Sequence, residues 1–176
     1  TQLEVLRDTS KNPFYKTFAS LLLNDEKFNP RFEIKDTNAA NITEGTYYPD
    51  RYTISIKPRV LGNEMLTLHE FGHARMHGAI EGTLRGLPGF ERLQPAVRRL
   101  QDLYISFRDV MEKEGIKYTE SGFSTKNGIL GYGPTQKNYG LRNIHEFASE
   151  GWTHPELQEL MRQTKVPEGL ASSKFK

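Results

Sequence analysis

His69, Glu70 and His73 stand in the pattern H-E-x-x-H. Two imidazoles with a carboxylate beside the first are the groups needed to hold a divalent cation and move a proton next to it. On a helix, residues four apart lie about 40° apart around the axis and one turn apart along it, so both rings can converge on one ion. Bound zinc lowers the pKa of a water to about 7, and the neighbouring Glu70 is close enough to take its proton. The competing reading is a chance match on an amphipathic helix. At ordinary His and Glu frequencies that match arises in less than about 1% of chains of this length, which favours the metal.

A catalytic zinc site takes three protein ligands and keeps a fourth position open. The chain has no cysteine, so the third must be a histidine or a carboxylate. His77 continues the i+4 series but lies about 5–6 Å further along the axis, too far for a straight helix to aim three rings at one ion. The metzincin pattern needs a glycine and a third histidine where this chain has Met76 and Ala79, which excludes that class. The second candidate block is Asn143-Ile144-His145-Glu146-Phe147-Ala148-Ser149-Glu150. Glu146 and Glu150 share a helix face, so one can bind the ion while the other orients a ligand histidine. Glu146 also has the N-cap to N3 spacing of a capping box with Asn143, and the residues alone leave Glu146 and Glu150 both open as the ligand.

The elements that must position these groups read as follows. Pro13 to Glu26 is a helix, with Phe14, Phe18, Leu21 and Leu22 at helical spacing. Arg31 to Lys35 and Tyr52 to Lys57 are strands, the second half-buried with Tyr52, Ile54 and Ile56 inward, and Gly45 to Asp50 is a turn. Asn63 caps the metal helix, which runs to about Gly78 with Met65, Leu68, Phe71, Gly72 and Met76 on its core face. Gly82 to Gly89 is a loop. A long helix to about Glu114 follows, and its stripe of Phe90, Leu93, Val97, Leu100, Tyr104, Phe107 and Met111 is core packing. Gly115 to Gly140 reads as a long glycine-rich loop. Short helices span about Asn143 to Glu150 and Pro155 to Thr164, and 166–176 is a linker or a truncated tail. His145 and His154 read as surface residues, and Arg98 and Arg99 as part of a solvated helix face.

Composition bounds the function classes. Of 176 residues, 36% are hydrophobic, enough for one domain with a core. The net charge of +2, from 24 basic and 22 acidic residues, is too even to argue for nucleic acid. No apolar run reaches the length of a membrane span. The first residues, Thr1-Gln2-Leu3-Glu4, are neither an initiator methionine nor a signal peptide, which suits a mature form or part of a larger polypeptide.

Tyr139-Gly140-Leu141-Arg142-Asn143-Ile144-His145-Glu146-Phe147-Ala148-Ser149-Glu150, with His69-Glu70-Phe71-Gly72-His73-Ala74 upstream, resembles the catalytic domain of anthrax lethal factor and its relatives. In that family H-E-F-G-H-A is followed by Y-G-x-x-N-x-x-E-F-x-x-E, and every fixed position is matched. The resemblance implies Glu146 as the third zinc ligand, Tyr139 as the hydroxyl facing the transition state, and Glu150 as a supporting residue. Tyr132 is the substitute for Tyr139. The likeness covers the two motif blocks and not the first 50 residues, and the segment between the blocks is longer here. Glu146 to Leu160, with Trp152-Thr153-His154-Pro155-Glu156-Leu157, also looks like peptidase-like domains inside large phage and mobile-element proteins.

The expectation is an α+β zincin-like metallopeptidase domain over residues 1–165, a small mixed sheet with an active-site helix and several packed helices. Its function would be that of a zinc-dependent endopeptidase working through a metal-activated water, with His69, His73 and Glu146 on Zn2+ and Glu70 and Tyr139 catalytic. By the same resemblance, the strand Tyr52 to Lys57 would be an edge that pairs with the substrate backbone, with an interior strand as the equal alternative. The resemblance implies a protein or peptide substrate, and a soluble toxin-like, secreted or phage-associated setting. The alternatives are a catalytically silent zinc-binding interaction module of a larger phage or toxin protein, which has no need of Glu70, and a zinc hydrolase acting on another amide.

Overall fold

Apolar residues at helical and strand spacing gather into two clusters, one in each half of the chain. A computed structural model describes residues 1–35, 44–113, 117–119, 122–125, 128–130 and 139–163. The architecture is α+β, and the chain divides into two units, Thr1–Gly78 and Ala79–Lys176. Among the described residues no helix is long and apolar enough to cross a membrane.

The first unit opens with α1 (Gln2–Thr9), closed by a capping box of Thr1 and Glu4, and α2 (Pro13–Leu23), capped by the Asn12 side chain, which accepts the Phe14 N–H at 3.0 Å. Helix α1 was not expected: its apolar content is thin, and Leu3 and Leu6 are its buried residues. A sheet follows in the order β1-β3-β2, with β1 (Arg31–Ile34) parallel and β2 (Gly45–Tyr48) antiparallel to β3 (Thr53–Ile56). Strand β3 is therefore central, and its backbone groups are taken on both sides. This overturns the edge role of Tyr52 to Lys57 in favour of an interior strand; among the described residues β1 and β2 flank it, β2 where the sequence suggested a turn. Central placement also buries Thr53 along with Ile54 and Ile56, so the alternation is less clean than a half-buried strand would give.

The turn from β2 into β3 ends at Tyr52, whose φ of 49° is unusual for a residue with a Cβ. Its ring packs edge-on against Phe28 and Tyr47, and its carbonyl accepts the Arg31 N–H at 2.9 Å. Those contacts offset a backbone cost of about 1–2 kcal/mol. Helix α3 (Glu64–Leu84) then covers the sheet's cluster with Leu68, Phe71 and Ala74. It runs past Gly78 and Gly82, further than the glycines suggested.

In the second unit, α4 (Gln94–Lys113) buries Val97, Tyr104, Phe107 and Met111, so the apolar stripe is core over most of its length; Leu93 at its start is exposed. Residues 117–130, expected as loop, carry three short antiparallel strands: β4 (Lys117–Thr119), β5 (Gly122–Thr125) and β6 (Gly128–Leu130). Tyr, Phe, Thr and Ile supply the strand preference there, and two of the glycines are only the strands' first residues. Helices α5 (Ile144–Thr153) and α6 (Pro155–Gln163) close the unit around Leu141, Phe147 and Leu157. The tail 166–176 lies outside the described residues.

Candidate metal centre

Helix α3 is started by Asn63, whose side-chain oxygen accepts the Leu66 N–H at 3.1 Å. Its rotation is fixed by Phe71, inside the H-E-x-x-H motif. That ring stacks on Phe32 at 5.8 Å and 6° and meets Phe28 at 6.2 Å. With Phe71 held in the core, the adjacent His69 and Glu70 are carried on a second buried face, 3% and 5% exposed. The His69 and His73 rings meet edge-on at 4.5 Å and 85°, with their Nε2 atoms 2.9 Å apart. His77 sits two turns past Glu70 and meets the Tyr47 ring edge-on at 6.0 Å. That position agrees with the argument against it as a ligand.

Helix α5 is capped by Asn143, whose side-chain oxygen accepts the His145 and Glu146 N–H groups, each at 2.9 Å. The Asn143 side chain thus caps the helix through the Glu146 backbone N–H. Phe147 fixes the helix as Phe71 fixes α3, packed on Tyr104 at 5.5 Å and Phe107 at 5.9 Å. Glu146 and Glu150 are both buried, 9% and 2% exposed. One ligand atom each from His69, His73 and Glu146 lies within 4.8 Å of the other two. Among the described residues this is the His and carboxylate grouping that could hold a metal ion, and it uses Glu146 rather than Glu150.

The donor set suits zinc. Two imidazole nitrogens and a carboxylate oxygen at bond lengths of about 2.0–2.2 Å would stand about 3.3–3.5 Å apart around a tetrahedral ion. Here the histidine Nε2 atoms stand 2.9 Å apart, and the three ligand atoms all lie within 4.8 Å of one another. Tyr139 begins the short 3-10 turn Tyr139–Leu141 before the Asn143 cap, and its side chain lies outside the described residues, as does Tyr132. The backbone between Tyr139 and that cap is held close to α5 and α6. A Cβ on Gly140 would stand 2.7 Å from Leu157 Cδ2 and 3.0 Å from Glu150 Cβ.

Of the two histidines read as surface residues, His154 is buried and His145 is half-buried. His154 is 4% exposed, with its Nε2 4.0 Å from the Glu150 carboxylate. Residue His145 donates its Nε2–H to Glu81 Oε1 at 2.8 Å, while Arg85 holds the other Glu81 oxygen at 2.9 Å. The hydrogen bond from His145 outweighs the opposing effect of burial and, with the pull of the Arg85 guanidinium, holds the Glu81 carboxyl below its ordinary range. Sequence reasoning missed Glu81, because its tie to His145 depends on tertiary packing. It also missed Gly45, which lies against Glu70; a glycine heading the strand formers Thr46, Tyr47 and Tyr48 was the available signal.

No protein-family model matches the chain, and no curated protein or solved structure matches it significantly.

Proposed function

We propose that the protein is a zinc-dependent endopeptidase with a zincin-like fold, of the lethal factor type. What carries this reading is the convergence of one ligand atom each from His69, His73 and Glu146 to within 4.8 Å, with Glu70 buried beside the first histidine. Zinc held by these three residues would supply a Lewis acid for the scissile carbonyl and an acidified water as nucleophile. Glu70 takes the proton of the attacking water on its carboxylate and returns it to the leaving amine, so the group ends each turnover as it began. By the resemblance, the Tyr139 hydroxyl donates to the oxyanion, a contribution of a few kcal/mol per donor in enzymes of this kind. Glu150, buried one turn after Glu146, supports the ligand set.

The substrate is a protein or peptide. The resemblance also suggests a toxin-like or phage-encoded setting within a larger polypeptide. The test is a peptide-library digest with the wild type beside Glu70→Gln. Cleavage by the wild type, reduced by a factor of about 10³ or more in Glu70→Gln with zinc retained, is expected. Zinc binding without cleavage of any peptide would leave the silent zinc-binding module as the better account.

A further inference from the structure

Glycine is a poor strand residue, and Gly45 heads a strand whose other members, Thr46, Tyr47 and Tyr48, are strand formers. Its backbone does not require glycine. Gly45 pairs in ordinary antiparallel register with Ile56, and its φ lies outside the left-handed region that Gly86 and Gly89 adopt. What requires it is space. A Cβ at residue 45 would stand 3.0 Å from Glu70 Cγ, 3.0 Å from Glu70 Oε1 and 3.3 Å from Glu70 Cδ. Strand β2 lies along α3 beyond this point too, because Tyr47, on the same strand face as Gly45, meets the His77 ring at 6.0 Å. The backbone at residue 45 is therefore a wall beside the Glu70 carboxylate. Glu70 is 5% exposed, so it has little free space into which to retreat.

We infer that Gly45 is a positioning residue for the proton-transfer carboxylate: by lacking a Cβ it sets how far Glu70 can lean toward β2. The inference rests on the peptidase reading for its consequence and on the Gly45–Glu70 contact for its physics. An alanine at 45 fits the backbone but displaces the carboxylate by a few tenths of an ångström, the three atoms nearest its Cβ all belonging to Glu70.

The experiment is a double-mutant cycle of Gly45→Ala and Glu70→Ala in the full chain, read by thermal unfolding and zinc affinity, with kinetics for the Glu70-containing pair. Beside Glu70, Gly45→Ala should lower Tm by about 2–4 °C; in the Glu70→Ala background, where the carboxylate is gone, it should leave Tm unchanged or raise it. It should lower kcat by about ten-fold or more, while KM and zinc affinity stay within about three-fold. Equal Tm shifts in both backgrounds would mean simple damage to the sheet and would overturn the inference, as would an unchanged kcat. A wild type that binds zinc and cleaves nothing would remove the catalytic role through failure of the peptidase reading. The Tm coupling would then survive as a packing fact alone.

Discussion

Helices α3 and α5 contribute to the same ligand grouping by different physics. On α3 the two histidines are four residues apart in one helix, so helical periodicity alone brings their Nε2 atoms to 2.9 Å. On α5, Glu146 gains nothing from the spacing of its neighbours; its place follows from the Asn143 cap and from Phe147 seated on Tyr104 and Phe107. A motif closed within one helix is robust to what surrounds it. A ligand delivered by packing is only as well placed as its packing.

The largest effects should come from the aromatic anchors. Phe71→Ala and Phe147→Ala each remove a buried ring, 4% and 1% exposed, and each should cost about 3–5 kcal/mol in denaturant unfolding. Their effects on metal should differ. Phe71→Ala leaves two ligands on consecutive turns of one helix, whereas Phe147→Ala loosens the seat of the third. Zinc affinity measured against a competing chelator should therefore fall at least about ten-fold further in Phe147→Ala. Equal losses would break the comparison.

This difference also sets what was legible in the sequence. His69 and His73 could be read because a helix converts spacing into geometry, and the Asn63 and Asn143 caps because capping is local. Glu146 could not be separated from Glu150 by spacing, since the choice depends on how α5 is rotated. His154 was misread for the same reason, and His145 in part: a polar residue near a helix end looks solvated until another element covers it or ties it down. Glycines misled twice. Gly45 suggested a turn where an edge strand begins, and the glycines among residues 115–140 hid three strands whose Tyr, Phe and Thr carried the truer signal.

Smaller effects sharpen the same contrast. Asn143→Ala removes the cap beneath Glu146 and should cost about 1 kcal/mol in thermal or denaturant unfolding. Glu81→Ala breaks the tie to His145, the residue before Glu146, and should weaken zinc binding by about ten-fold in the chelator assay; no change would mean that the tie does not help seat α5. The smallest effect is on acid stability. The folded-state pKa of Glu81 is depressed below 4.5, so its contribution is fully present above that pH and is lost as pH falls through the folded value. With Glu81 partly exposed this contribution is small, and the stability curve of Glu81→Gln should be flatter than that of wild type only below about pH 4.5.

The most direct test of the account is the zinc content of the purified protein, wild type beside Glu146→Ala. About one zinc per wild-type chain, largely lost in the mutant, is the predicted result. A wild type that takes up no zinc even when it is supplied, or a mutant that holds zinc as well as wild type, would contradict it.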